Sequence, residues 1–114
     1  MKTAYCVPVL MYHHVSPVVG SLTTSPENFE SQIAGLARHG YRGLTASEFA
    51  DFLAGKPTPP KSVLITFDDG YADNWIFAYP LLKKYGMCGT VFINPDFVDK
   101  RDIKRKQYSE NNES

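Results

Sequence analysis

Ser62-Val63-Leu64-Ile65-Thr66-Phe67-Asp68-Asp69-Gly70-Tyr71 is the stretch on which the reading of this chain turns. Residues 62–67 are β-branched and apolar enough to predict a buried strand. Two adjacent carboxylates then stand at its end. Such a pair repels itself unless a cation, hydrogen bonds or a raised pKa relieves it. Successive side chains at a strand end point in different directions. One carboxylate can therefore bind a metal while the other takes a proton. Gly70 permits a sharp turn and close approach of a ligand. The bland alternative is that Asp69-Gly70 is a turn signal after a strand. Both readings stand on these residues alone.

Upstream, Lys56-Pro57-Thr58-Pro59-Pro60-Lys61 reads as a surface connector. Before it, Thr45-Ala46-Ser47-Glu48 matches a capping box, with Phe49, Phe52 and Leu53 as the stripe to be buried. Tyr41 to Leu44 predicts a short strand. Ser25-Pro26-Glu27 opens a longer helix whose apolar stripe is Phe29, Ile33, Leu36 and Ala37, stopped by Gly40. The first apolar run, Val7 to Tyr12, predicts a strand buried on both faces. Ser16 to Thr24 predicts a loop. Downstream, a third helix is expected from about Asn74 to Lys84, with Ile76, Phe77, Leu81 and Leu82 available for burial. Pro80 must break it or start it. Gly89 to Ile93 predicts a fourth strand, and residues 99–114 form a polar tail.

Strands and helices thus alternate, which predicts an α/β fold of right-handed βαβ units with a parallel sheet. Two closures are open: a small open sheet, or about half of a (β/α) barrel. The chain has 114 residues, enough for one domain. A barrel usually needs roughly 200 or more. Twelve basic residues balance twelve acidic ones, so no charge footprint points to nucleic acid or an anionic membrane. No apolar run approaches the roughly 20 residues of a membrane span. No hydrophobic stretch precedes Val7, so no signal peptide is expected in this chain.

In parallel α/β folds, functional groups gather at the carboxyl ends of the strands. His13 and His14 follow the first strand, Thr45 and Ser47 the second, Asp68 and Asp69 the third, and Asn94 and Asp96 the fourth. Adjacent residues on an extended strand face opposite sides, so one of His13 and His14 at most faces the site directly. His39 lies in a helix's last turn, where its charge suits the dipole. Tyr71, Trp75 and Phe77 either stack on a sugar or pack in the core. Cys6 and Cys88 form no Cys-x-x-Cys pair and read as buried thiols. The basic run from Lys100 to Lys106 is interrupted by Asp102 and reads as a solvated loop.

Thr66-Phe67-Asp68-Asp69-Gly70-Tyr71 resembles the first motif of the polysaccharide deacetylases, the NodB-homology carbohydrate esterases. Val7 to Val15, Phe29 to Gly43 and Pro59 to Ile65 resemble the family's opening strand, first helix and approach to the motif. The resemblance covers about residues 7–98. It implies a distorted (β/α) barrel of the NodB type. It also implies metal-dependent removal of N- or O-acetyl groups from an acetylated polysaccharide, with cleavage of a non-peptide carbon–nitrogen bond in the N-acetyl case. In that scheme Asp68 is the general base and Asp69 a ligand of a divalent metal, zinc. Two further ligands would come from a His-(Ser/Thr)-x-x-x-His motif, which this sequence lacks, since its histidines are His13, His14 and His39. One carboxylate does not hold a catalytic zinc, which takes about three protein ligands. Residues 1–98 are therefore expected to be the N-terminal part of a deacetylase domain, weakly active or inactive alone. His13, His14 and Asn94 are possible contacts of its site. The opening strand most resembles members acting on poly-N-acetylglucosamine-type polymers, and family members are often exported. Two alternatives are a non-catalytic carbohydrate-binding module and an unrelated carboxylate–magnesium α/β domain.

Overall fold

The protein is described by a computed structural model, which covers residues 3–68 and 72–92. The chain runs β1 (Val9–Tyr12), β2 (His14–Val15), β3 (Thr23–Thr24), α1 (Pro26–Arg38), β4 (Arg42–Gly43), α2 (Ala46–Leu53) and β5 (Ser62–Asp68). A wide π-helical turn (Asn74–Ala78), α3 (Tyr79–Lys84) and β6 (Thr90–Phe92) follow. The tail at 99–114 and the end of the fourth predicted strand lie outside the described residues.

β5 is the centre of a parallel sheet. β1 pairs along one of its edges, from Val9 opposite Leu64 to Tyr12 opposite Phe67. β4 pairs with its start at Ser62 and Val63. β6 pairs with its end, Thr66 to Asp68. A strand has two edges, so β6 and β4 share the one that β1 leaves. Parallel pairing throughout places the carboxyl ends of β1, β5 and β6 on one rim. Among the described residues the strands do not close a barrel.

Period-two alternation divides β5 between two faces. Val63, Ile65 and Phe67 join Tyr12, Phe29 and Ile33 in the core between sheet and helices. Phe29 meets Tyr12 edge-on at 4.9 Å and Phe67 at 5.9 Å between centroids. Complete burial of Phe29 contributes on the order of 2–3 kcal/mol. Ser25 caps α1 by accepting from the Asn28 N–H at 3.1 Å, with Pro26 in the first turn. Thr45 and Glu48 form the reciprocal capping box of α2. Gly40 takes φ 81°, a left-handed conformation that ends α1.

Several expectations are corrected. β1 is not buried on both faces: Val9 and Met11 are exposed on the face away from α1. α2 buries none of its residues, and Leu53 is 69% exposed. Its neighbouring strand is two residues long and offers little sheet to cover, so Phe49 and Phe52 pack on each other at 6.1 Å. Ile76 is exposed, whereas Leu82 is buried. Cys6 and Cys88 are exposed thiols, because both sit in connecting segments beside the core. The segment read as a loop contains β3, which pairs in parallel with β2.

Candidate functional site

β1 and β5 end side by side, and their next side chains meet on the rim. His13 Nε2 lies 3.4 Å from Asp68 Oδ2, with both side chains about a quarter exposed. Met11 is in register with Thr66, so His13 and Asp68, each two residues on, share one sheet face. Thr66 anchors this pair of strands, its hydroxyl donating to the Leu10 carbonyl at 2.8 Å. An accessible carboxylate beside an imidazole can hold or accept a proton.

His14 turns elsewhere. Its Nδ1 is 2.7 Å from Oδ2 of Asp73, a fully buried carboxylate. The Val15 N–H donates to Asp73 Oδ1 at 3.5 Å. Asn74, in the amide orientation that satisfies its neighbours, donates to Asp73 Oδ1 at 3.2 Å and to the His13 carbonyl at 3.0 Å. Burial pushes the Asp73 carboxyl above its ordinary value, against the smaller opposing pull of His14 and the Val15 N–H.

Thr45 is occupied as the N-cap of α2, and Ser47 lies within that helix. His39 is far from the rim in function, its Nδ1 bonded to the Gly35 carbonyl at 2.8 Å. Asp69, Gly70, Tyr71, Asn94 and Asp96 lie outside the described residues. Asp73 and Asn74 escaped the sequence reading. An Asp-Asn pair before an aromatic helix reads as a cap, yet Asp73 makes no capping bond and reaches back to β2.

Trp75 is 70% exposed and stacks on Tyr79 at 4.7 Å and 14°. Phe77 is half-buried against the core. Trp75 and Tyr79 help wall a cavity of about 540 Å³ with Phe67, Leu82 and Met87. That cavity lies on the helix side of the sheet and contains none of the rim's histidines or aspartates. Among the described residues, no three His, Cys, Asp or Glu side chains converge to hold a metal ion. Within the same residues, no helix is long and apolar enough to cross a membrane.

Residues 55–113 match the family model described as polysaccharide deacetylase. A relative named putative polysaccharide deacetylase YxkH, from Bacillus subtilis, is 42% identical over 91% of this chain and 38% of its own length. The poly-beta-1,6-N-acetyl-D-glucosamine N-deacetylase of Staphylococcus aureus is 34% identical over 78% of this chain and 34% of its own. The chain thus spans little more than a third of these relatives. Among solved structures, IcaB from Ammonifex degensii superposes with a TM-score of 0.71 and 38% identity, over 76% of this chain and 37% of that one. The deacetylase PplD of Streptococcus pyogenes, solved in complex with acetate, superposes with a TM-score of 0.77 and 25% identity, over 95% and 54%.

Proposed function

Because this chain belongs to the polysaccharide deacetylase family, we propose that it carries the strand-end carboxylates of a hydrolase acting on an N-acetylated polysaccharide. Residues 1–98 are assigned to the N-terminal part of that domain. The substrate class is a poly-N-acetylglucosamine-type polymer, the polymer named for the Staphylococcus aureus relative. The observation that carries this reading is Asp68, accessible at the end of the central strand, with His13 at 3.4 Å.

In this reading Asp68 is the general base. Its carboxylate takes the proton from a water that attacks the acetyl carbonyl, and the amide carbon–nitrogen bond breaks as acetate leaves. His13 orients the carboxylate through Oδ2 and, when protonated, stabilises its charged form. Asp69 is assigned as one ligand of a divalent cation, zinc. When bound, such a cation polarises the carbonyl and acidifies water. The described residues do not by themselves fit a metal, because no three ligand side chains converge, so no step is routed through it.

Acetate release from an N-acetylglucosamine polymer, with and without added zinc, tests this reading. Activity lost in Asp68→Asn supports it; activity unchanged in that variant removes Asp68 as the base. The stacked, exposed Trp75–Tyr79 pair favours a second reading, binding of sugar without hydrolysis. Glycan binding without acetate release would select it.

A further inference from the structure

We propose that Asp73 is a positioning residue of this site: its buried carboxylate holds the His14 ring in the tautomer protonated on Nδ1, making Nε2 the acceptor nitrogen that His14 brings to the rim. The use of that acceptor in acetyl hydrolysis rests on the reading above; the tautomer does not.

The hydrogen-bond partners define the protonation pattern. Asp73 Oδ1 receives the Val15 N–H and the Asn74 amide. Both are donors, and two donors on one oxygen favour the ionised carboxylate. An ionised carboxylate can only accept, so His14 Nδ1 at 2.7 Å must donate. The second nitrogen of a neutral imidazole is then an acceptor. The alternative, a neutral carboxyl donating to Nδ1, would move the proton from the more basic imidazole to the more acidic group.

The same two residues clamp the strand end. Asp73 grips His14 and Val15, and Asn74 grips the His13 carbonyl. All three gripped residues lie at or just past the end of β1, and His13 is the one facing Asp68. Asp73 is fully buried and His14 largely so, which excludes water as a competing partner for Nδ1. A carboxylate that orients an imidazole is a recurring way to fix which ring nitrogen is available.

Long-range proton–nitrogen correlation spectra of the nitrogen-15-labelled chain, at a pH where the ring is neutral, read the tautomer directly. His14 is expected as the Nδ1–H form in the wild-type protein. Asp73→Asn is expected to redistribute it toward Nε2–H. An Nε2–H ring in the wild type overturns the proposal even if the variant does not fold. So does a folded variant whose His14 tautomer is unchanged. In the acetate-release assay, the variant is expected to lose about tenfold to a hundredfold in kcat with KM unchanged. A rise in KM alone contradicts a positioning role. A wild-type chain that releases no acetate removes the hydrolase reading and leaves the tautomer result to decide this one.

Discussion

Gly43 and Cys88 meet backbone to backbone. A β-carbon on Gly43 would lie 2.9 Å from the Cys88 nitrogen and 3.2 Å from Met87 Sδ. The obstacle is main chain, which cannot rotate away as a side chain would. Gly43→Ala is expected to destabilise by about 1–3 kcal/mol, the usual cost of overpacking. Gly35, inside α1, has only the flexible Arg38 tip within 3.8 Å of the same construction. Gly35→Ala is expected to stabilise by about 0.5–1 kcal/mol through helix propensity. Urea midpoints of the two variants should move in opposite directions.

Glu30 ties α1 to the end of α3. Its Oε2 accepts from Lys84 Nζ at 2.8 Å and from the Tyr85 hydroxyl at 2.7 Å. The Lys84 bond, then the Tyr85 bond, hold its carboxyl below the ordinary glutamate value. A depressed folded-state pKa contributes stability that is present above the unfolded value and is lost as pH falls through the folded one. Wild-type protein is therefore expected to exceed Glu30→Gln in stability near neutrality, and the gap should close in acid. Asp73, raised by burial, has the opposite sign. Its contribution improves as pH falls from above its folded value to below its unfolded one. Denaturation curves across pH for both neutral variants separate the two effects.

Trp75 is the chain's one tryptophan, and its indole is exposed. Native emission is expected at the wavelength of a solvated indole and open to acrylamide quenching. Unfolding should shift the maximum little. A native spectrum blue-shifted and protected from quencher would contradict the exposed stack.

Val9 and Met11 present apolar side chains on the open face of β1, and no second strand flanks β1 on its outer edge among the described residues. Such edges recruit further strands. Concentration-dependent association is expected in sedimentation velocity. Met11→Lys should reduce it by placing a charge on that face. A monomer at all concentrations would contradict this expectation.

Local chemistry was legible wherever it depended on neighbours in sequence. Ser25 and Thr45 cap their helices because both donor and acceptor lie within three residues. β5 was legible because seven consecutive residues share one environment. The exposed faces of β1 and α2 were not, because apolar residues record a capacity for burial and not a partner to bury against. In the candidate site, the approach of His13 and Asp68 followed from the rule that strand ends share a rim. Asp73 was illegible: its partner lies 59 positions away, and its own neighbours suggest a helix cap.

The π-helical turn from Asn74 to Ala78 carries one more residue than an α-helical path would need. Each residue of helix turns the chain by about 100°. Deleting one residue within this turn would rotate Tyr79–Lys84 by roughly that angle. Leu82 would swing out of the core while Asp73 kept its hold on His14. The surplus residue acts as a clutch, letting one end of the segment obey the rim and the other obey the core.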